Sequence, residues 1–277
     1  MSTSKFLHIS SSSHVPSASL SHQGKVRNNN EDRLAVQSYV TGEQEPRHIL
    51  LAVLSDGVGG NRAGEVAAQI GVDTIVDLFG NIKTLDDPAS ILKEVIIAAN
   101  LAVLNESEIK PELKGMGATC ICALIIEKKL YLGSLGDSRA YLLRRRVLRQ
   151  LNYDHTLLGD AEGEGPYGVK GITRDHPLAH VLTRYLGSAH PVLVDMRVRL
   201  EKRLLQSKDS ILNSLDLRKG DQVLLCSDGL TDMLNEGEIK DAVQEKDLHK
   251  DIQRLVELAL EKGGHDNISV ILMKIPQ

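Results

Sequence analysis

Two aspartates stand at matching places in the chain. Asp56 and Asp228 each follow a serine at the end of an apolar run and precede a glycine, in LLAVLSDGVGG (50–60) and VLLCSDGLTD (223–232). Three further acidic sites share the setting of a strand end beside small residues: Asn30-Glu31-Asp32, Asp137 in GDSR (136–139), and Asp266 in GGHDN (263–267). A buried carboxylate without a partner is costly, so each needs a hydrogen bond, a cation or a metal. Converging on one cleft, they would repel one another unless divalent ions neutralised them. Gly57, Gly59, Gly60, Gly136, Gly229 and Gly264 lie beside them and let the backbone approach an ion or adopt positive φ. Every candidate donor is an oxygen, and no Cys or His set has zinc spacing. The expected metal is therefore hard, Mg²⁺ or Mn²⁺. A single Asp-Gly is an ordinary turn; its repetition at strand ends turns the reading toward a cation cluster.

Positioning such a cluster requires rigid elements. Ile49–Leu54 is a continuous apolar run, as a strand buried on both faces would be. The period then changes, and Val66, Ile70, Ile75, Val76 and Phe79 fall on one helical stripe within 61–80. A second helix follows, with Asp87 as N-cap, Pro88 at its first position, and a stripe of Ile91, Leu92, Val95, Ile96, Ala99 and Val103. Residues 118–151 are strand-like, with hairpins at Glu127–Lys129 and Arg144–Arg146; the latter's three arginines read as a solvated tip. Glycine-rich 156–180 reads as a surface loop or flap. A strand at 222–227, helices near 236–245 and 248–262, and a strand at 268–275 complete the chain. Strand runs interrupted by helix pairs predict α+β layers rather than a doubly wound parallel sheet. One domain is expected over 15–277, preceded by a serine-rich polar arm at 1–14 that is mobile or forms an ill-defined first strand.

Bulk properties exclude other classes. The 277 residues are 42% hydrophobic and 25% charged, with a net charge of -4 that gives no footing for nucleic acid or an anionic membrane. With no Trp and two Phe, base-stacking platforms are not expected either. Cys120, Cys122 and Cys226 lie in apolar runs, read as small buried hydrophobes, and fit a reducing compartment. No signal-like segment and no membrane-length run is apparent. These features predict a soluble, cytoplasmic monomer.

Nine runs occur in order: GKVRNNNED (24–32), SDGVGG (55–60), AGE (63–65), MGATC (116–120), GDSRAYLL (136–143), LNYDHT (151–156), VLTRYLG (181–187), GDQVLLCSDGLTDML (220–234) and GGHDNISV (263–270). Together they resemble the PPM family of metal-dependent serine/threonine protein phosphatases (type 2C), in its compact bacterial form. The resemblance implies a four-layer α-β-β-α sandwich, with two central antiparallel sheets flanked by helical hairpins and metals at one end. It implies that Asp56 bridges two ions, helped by the Gly57 carbonyl, that Asp228 and Asp266 are direct ligands, and that Asp32 and Glu31 hold metal-bound waters. Asp137, with the Asp228 region and Asp232, would support a third, weaker ion. Arg27 would bind phosphate, for which a permanently charged guanidinium fork is suited. Thr119 and Asn267 would orient ligands.

The implied reaction is hydrolysis of phosphoserine and phosphothreonine in proteins by a metal-bridging hydroxide, with no phosphoenzyme; the substrates would be those of a cognate serine/threonine kinase. Some eukaryotic relatives carry a His after the first Asp-Gly, where this chain has Val58, so a metal-bound water is expected to protonate the leaving oxygen. His265 is a further candidate for that part and reads as a solvated loop residue, while His155 and His176 read as structural. Two departures stand out: GEGPYG replaces the usual helix-forming flap pattern, and the Arg144–Arg146 hairpin replaces a commoner turn. A scaffolding pseudophosphatase is the alternative, and it would have lost the ligands that this chain keeps. A haloacid-dehalogenase-type phosphatase needs a second Asp two residues after the first, where Val58 stands.

Overall fold

The computed structural model describes residues 6–42, 44–58, 63–162, 171–200, 211–243 and 247–276. Gly59 and Gly60, residues 163–170 of the expected flap and 244–245 of the expected 236–245 helix lie outside them. Along the chain come β1 (Leu7–Ile9), β2 (Ser17–His22), β3 (Arg33–Thr41), β4 (His48–Ser55), β5 (Gly57–Val58), α1 (Ala63–Gly80) and α2 (Pro88–Ile109). Next are β6 (Gly117–Ala118), β7 (Cys120–Ile126), β8 (Lys129–Leu135), β9 (Arg139–Arg144), β10 (Val147–Gln150) and α3 (Leu157–Ala161). The rest is β11 (Val198–Arg199), β12 (Ile211–Leu212), β13 (Leu215–Asp216), β14 (Gln222–Cys226), α4 (Asp228–Thr231), α5 (Glu236–Ala242), α6 (Leu248–Glu261) and β15 (Ile268–Lys274).

Two antiparallel sheets form the centre, ordered β1-β3-β4-β7-β8-β13 and β10-β9-β14-β15-β2. Strand periodicity assigns each side chain to a layer. In β4, Ile49, Leu51 and Val53 pack under α1 and α2, while Leu50, Ala52 and Leu54 fill the space between the sheets. In β7, Cys120 and Cys122 take the helix side and Ile121 and Ala123 the inner side. β14 repeats the arrangement: Val223 and Leu225 face inward, Leu224 and Cys226 face α6. Continuous apolar strands are thus needed because both faces of each sheet are covered. The expected four-layer α+β sandwich is what the chain adopts.

Local sequence sets the helix ends. Asp87 caps α2, accepting from Ser90 N at 3.1 Å, with Pro88 in the first turn. Asn235 and Glu238 form a reciprocal capping box at the start of α5.

Leu7–Ile9 of the expected arm takes the second of the two forms expected for it, a strand, paired with Tyr39–Thr41, and Leu7 is buried in the core under α1, so apolar burial fixes this part of the N-terminal segment. Three expectations are corrected. The expected loop at 156–180 opens with α3, capped by Thr156, which accepts from Gly159 N at 3.1 Å. At the Arg144–Arg146 hairpin, Arg145 and Arg146 make the tight turn at φ 52° and 63°, but Arg144 is not a solvated tip. It is buried against Asp221, with Nη2 2.5 Å and Nε 3.0 Å from the carboxylate, and also donates to Asp216 O at 2.9 Å. Finally, α2 is long and apolar enough to cross a membrane by length and composition; its stripe of Leu92, Val95, Ile96, Ala99 and Val103 is buried in the core beneath it.

Candidate active site and metal centre

Antiparallel pairing brings alternate strand starts and strand ends to one edge of the sandwich, and the acidic residues sit there. Arg33 at the start of β3 pairs with Ser55 at the end of β4, so Asp32 and Asp56 lie one step beyond the same rung. Cys120 opens β7 opposite Leu135 at the end of β8, which brings Thr119 and Gly136-Asp137 together. In the second sheet, Cys226 ends β14 opposite Arg139 and Val270, placing Ser227-Asp228 beside the approaches to β9 and β15. A cleft of about 620 Å³ opens at this edge. Arg27, Glu31, Asp56, Gly57, Asp137, Asp228 and Asp266 all line it; Asp32 is buried at its base, only 2% exposed. The structure therefore brings Arg27, Glu31, Asp56, Gly57, Asp137, Asp228 and Asp266 to one cleft, with Asp32 buried beside Asp228.

Hydrogen bonds fix these groups. Thr119 and Asp56 bond reciprocally: Asp56 N donates to Thr119 Oγ1 at 2.9 Å, and Thr119 N donates to Asp56 O at 2.8 Å. Thr119 Oγ1 also lies 2.7 Å from Ser138 Oγ, linking the Asp56 and Asp137 turns. Gly136 has φ 96°, and a Cβ there would meet Thr119 Cβ at 2.7 Å, so glycine is required for this approach. A Cβ on Gly57 would lie 2.3 Å from the Gly64 carbonyl; the absence of a side chain lets the SDG turn close against the start of α1. Asn267 ties the Arg27 loop to β15: its Oδ1 accepts from Glu31 N, and its Nδ2 donates to Gln23 O and Asn29 O, all at 2.8 Å. Asp266 accepts from Arg27 Nη2 at 2.5 Å and from Asn267 N at 2.8 Å. Arg27 is more than half exposed and keeps other N–H donors for an oxyanion.

The electrostatics are those of crowded carboxylates. Burial, then Asp32 and Asp228, push the Asp56 carboxyl well above its usual range. Burial pushes Asp32 up to about 6 against hydrogen bonds from Ser269 and Ser227, with Asp228 and Asp266 adding to the rise. Asp228 is likewise raised to about 6 by burial, with a hydrogen bond from Asp56 opposing and Asp232 and Asp266 adding. Asp137 rises to about 8 through burial, Asp228 and Asp154. Among the described residues, no three His, Cys, Asp or Glu side chains converge tightly enough to define an ion position by themselves. The donor chemistry makes the case instead. Asp32 Oδ1 and Asp228 Oδ1 are buried oxygens without a hydrogen-bond partner, within a group whose members raise one another. A divalent cation among hard oxygen donors satisfies both conditions, so the residues present fit Mg²⁺ or Mn²⁺.

Other expected residues fall as follows. His155 is buried; its Nδ1 accepts from Gly136 N at 3.2 Å and its Nε2 lies 3.3 Å from Asp195 Oδ2, a structural role behind the Asp137 turn. His176 Nδ1 accepts from Leu178 N in an exposed turn, and His265 is exposed. Sequence reasoning missed His180, which lines the cleft and draws down Asp232, a carboxyl raised chiefly by burial. The only signal was its place one residue before VLTRYLG. It also missed the anchoring of α1, where Glu65 accepts from Arg33 Nη2 and from Asn29 Nδ2, the latter at 2.7 Å.

A four-layer sandwich with a cleft of hard oxygen donors and an arginine at its rim defines a class of phosphoryl-handling proteins, and comparison specifies it. The family model for protein phosphatase 2C matches residues 21–272. The serine/threonine phosphatase stp of Listeria monocytogenes serotype 4b is 31% identical over 256 residues, which are 91% of this chain and 92% of that protein. The crystal structure of Mycobacterium tuberculosis PstP/Ppp superposes with a TM-score of 0.74 at 31% identity, covering 95% of this chain and 99% of that one. The PstP catalytic domain in complex with 2 manganese ions gives 0.72 at 31% identity, covering 95% and 99%. The chain belongs to the protein phosphatase 2C family.

Proposed function

We propose that this chain hydrolyses phosphoserine and phosphothreonine in protein substrates, using Mg²⁺ or Mn²⁺ held in the cleft. The observation that carries this reading is the convergence of Asp32, Asp56, Asp137, Asp228 and Asp266 at one edge of the sandwich, with unpartnered oxygens at its base and Arg27 at its rim. Asp56, the Gly57 carbonyl, Asp228 and Asp266 would hold two ions directly, and Asp32 through water. Asp137, with Asp232 nearby, would hold a third. When bound, the ions supply a water activated near neutral pH and neutralise charge on the phosphoryl oxygens, so that no phosphoenzyme is needed.

The chain's own part is positioning. Arg27 presents N–H donors to two phosphoryl oxygens, and their hydrogen bonds strengthen as charge accumulates during displacement. Thr119 holds the Asp56 backbone still, and Asn267 holds the loop that carries Arg27. Val58 offers no proton after the first Asp-Gly. A metal-bound water, as expected from the sequence, is one source of the proton for the departing seryl or threonyl oxygen, and His180, the imidazole that lines the cleft, would be a second.

The test is hydrolysis of a phosphothreonine peptide by the whole chain in EDTA and in Mn²⁺, beside Asp228→Ala. Activity restored by Mn²⁺ in the wild type and lost in the folded variant is expected. A wild type that binds the phosphopeptide yet stays inactive with every divalent ion would overturn the assignment in favour of a binding module.

A further inference from the structure

Three apolar side chains can neither donate to a phosphoryl group nor hold a cation, yet they line the same cleft as Arg27: Val26, Val58 and Leu182. Val26 is 63% exposed and Val58 41%, while Leu182 is partly buried. One exposed valine is ordinary on a protein surface. Two of them beside the groups that carry the chemistry, Val26 next to Arg27 and Val58 next to Gly57, are not scattered. With Leu182 they are the apolar lining of a cleft whose other side chains are polar or charged.

Backbone bonds hold each of the three in place. Lys25 N donates to Gly264 O at 2.7 Å and Gln23 Nε2 donates to Arg27 O at 2.6 Å, which staples the turn carrying Val26 on both sides. Gly24, at φ 82°, permits that turn: a Cβ there would meet Asp266 O at 2.2 Å. Val58 lies in β5 and pairs with Gly117 of β6, and Leu182 is bridged to Thr156. Apolar groups fixed in this way lose little conformational entropy when a ligand covers them. A phosphoryl group on Arg27 brings with it the chain on both sides of the phosphorylated residue. With consecutive Cα atoms about 3.8 Å apart, side chains one or two places away stay within a cleft of this size. An aliphatic side chain there would leave water against Val26, Val58 and Leu182. A charged one would lose water and gain no partner from them.

We propose that the cleft selects phosphoserine and phosphothreonine sites with an aliphatic residue within two positions of the phosphorylated one, read by Val26, Val58 and Leu182. This inference rests on the phosphatase function proposed above and adds to it a class of substrate sequence.

The probes are a phosphothreonine peptide with serine at the two positions on either side, and relatives that carry leucine at one of those positions at a time. Their kcat/KM is measured with the whole chain in Mn²⁺, beside p-nitrophenyl phosphate, which has no flanking residues. At one position or more, leucine should raise kcat/KM roughly tenfold over serine, the worth of an aliphatic side chain in an apolar site. The gain should appear as a lower KM. Val26→Ser and Val58→Ser should each cut that leucine-to-serine ratio by roughly threefold or more. A ratio taken within one variant is insensitive to any loss of turnover that the substitution causes. Equal kcat/KM for all the peptides, or a leucine gain that both valine variants keep, overturns the inference and leaves the phosphatase function standing. A chain inactive on the peptides and on p-nitrophenyl phosphate with every divalent ion overturns both.

Discussion

Asp32→Asn should make the metal-stripped protein more stable while weakening its hold on divalent ions. Asp32 is 2% exposed, and burial is the first cause that lifts its carboxyl from the ordinary 3.8 to about 6. Between those two values the folded chain keeps a proton that the unfolded chain has lost. Stability therefore falls as pH rises through that window and stays lower above it. At about 1.4 kcal/mol per pH unit, the ionised side chain costs about 3 kcal/mol near pH 7.5 and almost nothing near pH 4. Asparagine keeps the shape, still accepts the 2.9 Å hydrogen bond from Ser227 Oγ, and carries no charge. In EDTA near pH 7.5 the variant should melt on the order of 5 °C higher than wild type, given the entropy of unfolding of a chain this size. Added Mn²⁺ should reverse the ranking, because ligand binding to the folded state stabilises wild type more. The assay is thermal unfolding by circular dichroism, in EDTA and in Mn²⁺, near pH 4 and near pH 7.5. A variant that melts below wild type in EDTA near pH 7.5, or a gain that persists undiminished near pH 4, would refute the reasoning.

Three further outcomes follow from the cleft. Arg27→Ala should lower kcat/KM for a phosphothreonine peptide by on the order of 10²-fold, as for loss of an oxyanion donor; because Arg27 is more than half exposed, the melting temperature should hold, and a fall in both together would point to a structural role. Thr119→Val removes the acceptor for Asp56 N and the contact with Ser138 Oγ, and should weaken Mn²⁺ binding measured by calorimetry by roughly 10–100-fold; unchanged binding would show that the SDG turn holds without it. His180→Gln should slow hydrolysis of a phosphothreonine peptide by roughly 10²-fold or more while sparing p-nitrophenyl phosphate, whose leaving group needs no proton; equal losses on both substrates would remove His180 from proton transfer.

How much of this was legible in the sequence depended on where each residue's partners lie in the chain. Strand ends were readable because an apolar run that stops at Ser-Asp-Gly carries its own boundary, and antiparallel pairing then dictates that such boundaries meet at one edge. β4 and β14 never pair with each other, yet both end at the cleft because each is flanked by strands running the other way. The N-cap at Asp87 was legible for the same local reason. What escaped depends on distant partners. Arg144 looked like a solvated tip because its partner Asp221 lies 77 residues on and nothing near Arg144 announces it. Removing either member should cost about 3–5 kcal/mol, so the hidden pair is no minor detail. His180 escaped likewise: it enters the cleft because Leu157 N and Leu158 N bond to Val181 O and Ala179 O, a closure between segments with no shared periodicity. The same antiparallel order also accounts for the chemistry. Placing each carboxylate one or two residues beyond a strand end, and Asp56, Asp228 and Asp266 beside strands buried almost throughout, leaves them little freedom to move away from their neighbours. Their mutual repulsion is then retained by the folded chain and remains available to be relieved by a cation, instead of dissipating through loop movement.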